Sequence, residues 1–170
     1  MSEASYVLGV KIVRDRAKKL LGLSQETYIK RMLECYHMQD SKQMDTFVDK
    51  SLSLNRDICP KTPKEKEKMS RVPYVSVVGS LMYAMMCTRP DICYIIGLVS
   101  RYQLNSGQKH RLAVKRILRY LKGTSDYMLC YQGNKDLGLI GYSDVDWKGD
   151  IDQSKSTSGY AFLLNDSAIL

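Results

Sequence analysis

Gln108-Lys-His-Arg-Leu-Ala-Val-Lys-Arg-Ile-Leu-Arg-Tyr-Leu-Lys-Gly123 decides the fold class, because the hydrophobic period of the chain changes where this stretch ends. Within it Val114, Ile117, Leu118 and Leu121 recur at i, i+3, i+4 and i+7, the stripe of a helix with one buried face. Gly123 supplies the stop. Beyond it the period falls to two. Tyr127–Gln132, Leu137–Asp144 and Ser158–Leu164 are predicted as strands, with a polar turn at 133–136. Helices followed by strands predict an α+β chain.

The remaining surface of the same helix carries Lys109, Arg111, Lys115, Arg116, Arg119 and Lys122, and no acid. Solvated helix faces usually mix signs through i, i+4 pairs. A face of one sign is either plain solvation or a surface that suits a phosphate backbone. Residues 92–125 as a whole hold seven Lys and Arg and no Asp or Glu. Residues 126–170, by contrast, hold seven acids against three lysines. The overall charge of +8 is therefore uneven, with a polyanion-facing part and an acid-rich part.

Working outward toward the N-terminus, Thr88-Arg-Pro-Asp91 has the spacing of a capping box, with Pro90 in the tolerated first turn. It opens a helix to about Gln103 through Ile92, Ile95, Ile96 and Val99, which Asn105-Ser-Gly107 breaks. Tyr74–Cys87 is predicted helical through Val75, Val78, Leu81, Met82 and Met85. Residues 39–73 are polar and carry Pro60, Pro63 and Pro73, which predicts a long loop with a short helix at Lys64–Ser70. Ser24 is placed to cap a helix from Gln25 to about His37, with Ile29, Met32, Leu33 and Tyr36 on one face. At the start, Tyr6, Leu8, Val10 and Ile12 alternate as one strand, and Leu20–Leu23 returns to form a β-hairpin.

Composition removes several classes. With 44% hydrophobic and 26% charged residues, the chain has the makeup of a globular domain rather than a disordered one. The longest apolar runs are far short of the 18 residues of a membrane span, so no membrane association is expected. The opening Met-Ser-Glu-Ala lacks the features of a secretory leader, which predicts a cytoplasmic or nuclear protein that is not secreted. Five scattered cysteines without a Cys-x-x-Cys pair argue for reduced thiols rather than a zinc site. There is no Walker A loop, Gly-x-Gly-x-x-Gly, Gly-x-Ser-x-Gly or His-Glu-x-x-His.

The acidic run Asp144-Val-Asp146-Trp-Lys-Gly-Asp150-Ile-Asp152 follows a predicted strand. Mg²⁺ takes oxygen ligands, and one or two carboxylates with substrate phosphates suffice, so Asp144 and Asp146 are candidate metal ligands; a solvated turn is the alternative. An EF-hand is excluded, because Lys155 stands where its twelfth-position Glu belongs.

The strings Tyr6-Val-Leu-Gly-Val-Lys-Ile12, Gly22-Leu-Ser-Gln25, Val78-Gly-Ser-Leu-Met-Tyr83, Thr88-Arg-Pro-Asp-Ile92 and Lys115-Arg-Ile-Leu-Arg-Tyr-Leu-Lys-Gly123 occur in order. Gly141-Tyr-Ser-Asp-Val-Asp-Trp-Lys-Gly-Asp150 and Lys155-Ser-Thr-Ser-Gly-Tyr160 follow. In this series the chain resembles the Pol polyprotein of Ty1/copia-type retrotransposons, from late reverse transcriptase into ribonuclease H, over about residues 6–165. The resemblance implies three parts. Residues 1–24 would be the end of the palm of an RNA-directed DNA polymerase, with a primer-grip-like hairpin. Residues 25–125 would be a helical thumb and connection, binding an RNA–DNA hybrid or duplex nucleic acid, and residues 126–170 a truncated ribonuclease H-like domain with a partial sheet. Asp144 would be the relic of the ribonuclease H catalytic metal site and Asp146 a weaker metal ligand, with Mg²⁺ as the implied cofactor. The polymerase Asp pair of that family has no counterpart, since no two aspartates are adjacent in the chain. A transposable-element fragment without complete catalysis, working with other Pol segments in trans, is the expectation, and a non-enzymatic interaction module or degenerate relic the alternative.

Overall fold

The computed structural model describes residues 4–47, 54–133, 138–150, 155–165 and 167–169, with only the backbone described at 144–150 and 155–158. The chain is α+β and divides into two compact units. Residues 26–125 form a helical unit, and residues 1–25 and 126–170 together form a β unit.

In the β unit, strands β1 (Tyr6–Val7), β2 (Val10–Asp15) and β3 (Leu20–Ser24) form an antiparallel meander. The alternation expected to run unbroken from Tyr6 to Ile12 is interrupted at Leu8-Gly9. Both residues have positive φ, 49° and 78°, and Val7 pairs with Val10 across them. This is the backbone of a tight two-residue hairpin, in which alternation through the turn mimics a continuous strand. Strand β4 (Met128–Gln132) adds to β3 in register from Ser24↔Met128 to Leu20↔Gln132, giving the order β1-β2-β3-β4. The first strand of the segment expected to be ribonuclease H-like is thus the fourth strand of the N-terminal sheet.

A second antiparallel sheet joins β5 (Leu139–Asp150), β6 (Lys155–Leu164) and β7 (Ser167–Ile169). Both long strands extend beyond their predicted ranges, and β7 is too short to show a period. Hydrogen bonds tie the two sheets: the Tyr131 hydroxyl donates to the Ala168 carbonyl at 2.7 Å, Asn165 Nδ2 to the Gln132 carbonyl at 2.9 Å, and Ser167 Oγ to the Cys130 carbonyl.

The helical unit contains α1 (Glu26–Cys35), α2 (Pro63–Ser70), α3 (Tyr74–Cys87), α4 (Cys93–Ser100) and α5 (Gln108–Gly123). Ile29, Met32 and Leu33 of α1 meet Val77, Val78 and Leu81 of α3, Ile95, Ile96 and Val99 of α4, and Val114, Ile117, Leu118 and Leu121 of α5 in one core. Helix α2 begins with a full capping box. Thr62 Oγ1 accepts from the Glu65 amide at 3.3 Å, and the Glu65 carboxylate accepts from the Thr62 amide at 3.0 Å. Helix α4 is shorter than the sequence implies, because residues 101–105 turn without continuing it.

The end of α1 is set by backbone strain. His37 sits at φ 54°, its amide donates to Glu34 O at 3.0 Å, and the Met38 amide reaches Leu33 O at 2.7 Å, the closure that usually has glycine at the left-handed position. The left-handed conformation costs a non-glycine residue roughly 1–2 kcal/mol, part of which glycine returns as unfolded-state entropy. His37→Gly is therefore expected to raise stability by about 0.5–1 kcal/mol. An unchanged or lowered urea midpoint would refute this.

Candidate nucleic-acid interface

Helix α5 is anchored before it is displayed. At its N-terminus the Gly107 amide donates to His110 Nδ1 at 2.9 Å, so the fully buried imidazole caps the first turn. The His110 ring stacks on Tyr102, centroids 4.2 Å apart. His110 continues the buried stripe of α5, four residues before Val114 and seven before Ile117, a signal masked in the sequence by its place in a basic run.

The other end of α5 is held by the Thr88-Arg-Pro-Asp91 motif, in a way that differs from the capping box its spacing implies. Thr88 closes α3 rather than opening the next turn, and residues 90–92 form a 3₁₀ turn without a side-chain cap. Arg89 is instead driven inward, with 2% of its surface exposed. Its guanidinium forks onto Asp91, Nε to Oδ1 at 2.9 Å and Nη2 to Oδ2 at 2.8 Å. Nη1 and Nη2 also donate to the carbonyl and hydroxyl of Thr124, at 2.9 and 2.7 Å, just past the end of α5. Tyr120 completes the cluster, its hydroxyl donating to Asp91 Oδ2 at 2.7 Å and its ring lying 5.3 Å from the Arg89 guanidinium carbon. A buried cation needs such a saturated set of acceptors.

Burial alone would push the Asp91 carboxyl up, but the hydrogen bonds from Arg89 and Tyr120 outweigh it and hold the group below its ordinary value. A carboxyl lowered in the folded state stabilises the fold above its unfolded-state value, and that contribution is lost as pH falls through the folded value. Stability should therefore drop below about pH 4. Asp91→Asn, measured by urea midpoints from pH 7 down to pH 3, should flatten that drop while lowering stability at neutral pH. An acid limb as steep as that of the parent chain would exclude Asp91 as its source.

The outward surface of α5 takes the predicted basic residues at about 100° per residue, an arc of about 160° from Arg111 round to Lys109. The structure gives five of them three roles and places the sixth, Arg116, in a groove with Lys115 and Arg119. Arg119 and Lys122 fasten a loop: Arg119 Nε donates to the Lys42 carbonyl at 2.5 Å and Lys122 Nζ to the Ser41 carbonyl at 2.7 Å. Lys109 stands at the far end, in a mixed-charge hollow with Asp57, Lys61, Glu65 and Lys68. Arg111 and Lys115 are half-buried on their stems and have no acidic partner among the described residues.

Two grooves flank Lys115. One, of about 610 Å³, is lined by Lys42, Lys115, Arg116, Arg119 and the exposed Leu112. The other, of about 480 Å³, has Arg71, Arg111 and Lys115 beside an apolar floor of Val72, Val77, Val114 and Leu118. Among the described residues no Asp or Glu lines either groove. Lys42 and Arg71 belong to the surface although the sequence placed them in the long 39–73 segment, Arg71 just past its short helix, and only the fold brings them to α5.

Asp144 and Asp146 lie in β5, opposite Gly159 and Thr157. Their side chains fall outside the described residues. Among the described residues no group of three His, Cys, Asp or Glu is arranged to hold a metal ion, and no helix is long and apolar enough to cross a membrane.

No family model and no solved structure matches the chain. Curated relatives do. The chain is 49% identical over 169 residues, 99% of its length, to the retrovirus-related Pol polyprotein from transposon TNT 1-94 of Nicotiana tabacum, of which it covers 13%. It is 36% identical over 159 residues, 94% of its length, to the corresponding polyprotein from transposon RE2 of Arabidopsis thaliana, of which it covers 10%. It is also 44% identical over 101 residues to the secreted RxLR effector protein 161 of Plasmopara viticola, a match that takes in 59% of this chain and 71% of that protein. The chain thus spans about a tenth of each transposon polyprotein it matches. Along nearly its whole length the chain is thus similar to one segment of retrotransposon Pol polyproteins of the Ty1/copia type.

Proposed function

We propose that this segment is the nucleic-acid-gripping part of a reverse transcriptase/ribonuclease H polyprotein, holding an RNA–DNA hybrid or other duplex through the phosphates that meet α5. The observation that carries this reading is the acid-free surface of Arg111, Lys115, Arg116 and Arg119, widened by Lys42 and Arg71 into two grooves. Arg119 spends one guanidinium nitrogen on the Lys42 carbonyl and keeps further donors for phosphate. Lys109 and Lys122 contribute at the rim. Within this reading Asp144, helped by Asp146, is a ribonuclease H-type metal position that would take Mg²⁺ together with substrate phosphates. The chain completes neither catalytic centre by itself and works beside other Pol segments.

Anisotropy of a fluorescent blunt RNA–DNA hybrid across a salt series tests the reading. Binding should weaken linearly on a log–log plot, by about 0.9 in slope for each phosphate neutralised. A salt-independent isotherm, or none at low salt from folded protein, would reject it.

A second reading has its own observation. The 71% coverage of the effector protein shows that a related stretch occurs in a short chain, so the segment could act as a non-enzymatic interaction module. Strand β5 has one neighbour, β6, among the described residues, which leaves an edge for a strand from another Pol segment. Sedimentation as a monomer at high concentration, with no uptake of purified Pol segments, would count against it.

A further inference from the structure

We propose that the groove lined by Arg71, Arg111, Lys115, Val77 and Leu118 receives an unpaired nucleobase from a single-stranded extension of the bound nucleic acid. This rests on the phosphate-binding reading of α5 and deepens it.

The groove differs from its neighbour across Lys115 in the side chains that line it, which here include Tyr74, Val77, Val114 and Leu118. Its volume of about 480 Å³ lies in the range of small-ligand pockets. Its floor is apolar and buried, made by Val77, Val114, Leu118 and the ring of Tyr74. The Tyr74 hydroxyl is committed to the Val99 carbonyl at 2.8 Å, so the ring presents carbon rather than a free polar group. Burial pushes that hydroxyl well above its ordinary value, which keeps it neutral. Tyr36, half-buried at the rim, is likewise fixed, its hydroxyl within 2.9 Å of Ser76 Oγ and Ser80 Oγ.

Cations stand only at the edge. Arg111 and Lys115 lack acidic partners among the described residues, and the single partner of Arg71 is an exposed Glu67 carboxylate 3.6 Å away. An apolar, aromatic-edged floor with a cationic rim is complementary to a flat apolar ring that carries phosphates on its flanks, the combination by which single strands are held without sequence preference. An extended backbone fits the position because Lys115 lines both grooves. A strand whose phosphates follow Arg119, Arg116 and Lys115 arrives at Arg111 with its next base over Val77 and Leu118. A fully paired duplex cannot use the floor, because its bases are stacked inside.

The experiment compares three labelled RNA–DNA hybrids on the whole chain: blunt, with a four-nucleotide single-stranded extension, and with the same extension built from abasic residues. The two extended probes carry equal phosphate charge. The base-bearing extension should bind about tenfold more tightly than the abasic one. Cys35→Trp, at an exposed position on the groove wall outside the phosphate surface, should abolish that difference while leaving the blunt hybrid's affinity as it was. Equal affinity for the base-bearing and abasic extensions, with blunt binding intact, overturns the base site and spares the phosphate reading. Failure to bind the blunt hybrid at low salt overturns both. An acidic peptide with a central phenylalanine that binds the chain, is lost in Cys35→Trp and leaves the base-dependent gain unchanged would reassign the groove to a protein partner and overturn the proposal.

Discussion

Arg89→Met is expected to lower the unfolding free energy of the helical unit by about 3 kcal/mol, a large share of what holds a domain of this size together. The substitution keeps much of the apolar stem but removes four hydrogen bonds at once, two to Asp91 and two to Thr124. Losing one member of a buried pair is costly because its partners stay desolvated. The figure sits at the low end of the roughly 3–5 kcal/mol that breaking a buried ion pair costs, because Asp91 keeps about a third of its side chain in water. Arg89→Lys should rescue only part of the loss, since an ammonium cannot reproduce the planar fork. Urea unfolding followed by circular dichroism measures both variants, and the Arg89→Met, Asp91→Asn pair closes a double-mutant cycle. A loss below about 1 kcal/mol for Arg89→Met would mean that the cluster is held by packing rather than by its polar contacts.

The second large effect is on binding. Replacing Arg111 and Lys115 together by Ala should reduce the salt slope for a blunt hybrid by about 1.8, two phosphates' worth. With the 1 M intercept unchanged, the same relation makes the double variant weaker by about 1.8 decades at 0.1 M salt. These two residues are the clean choice because neither is committed inside the fold. Arg119→Ala and Lys122→Ala would confuse two effects, since each releases a carbonyl of the 41–42 loop and should lower stability as well as affinity. An unchanged slope in the Arg111/Lys115 variant, with parent-like stability, would place the phosphate contacts elsewhere.

How far the sequence could be read depended on whether the information was local. The buried stripe of α5 was legible because Val114, Ile117, Leu118 and Leu121 sit at helical spacing, and all four are in the core. The one-signed outer face was equally visible. The commitment of Arg119 and Lys122 to fastening a loop was not, because that depends on where Ser41 and Lys42 come to lie. Thr88-Arg-Pro-Asp91 was recognisable as a motif but misread as a cap: the spacing of a capping box says nothing of Thr124, 35 residues from Arg89, which draws the guanidinium inward. The Leu8-Gly9 turn escaped because a two-residue reversal preserves the alternation on either side of it. Strand β4 was found as a strand, but its partner β3 is separated from it by the whole helical unit, a pairing that no local period announces.

That pairing has a consequence for the order of events on the ribosome. Strand β3 leaves the exit tunnel before β4, and the strand that covers its far edge follows only after all of residues 26–125. At roughly 5–20 residues per second, β3 waits several seconds with that edge open. The helical unit draws its contacts from its own 100 residues and has the shorter loops to close, so it can finish folding first. Synthesis then reaches β4, and the meander gains its fourth strand only after the helical unit has had time to fold.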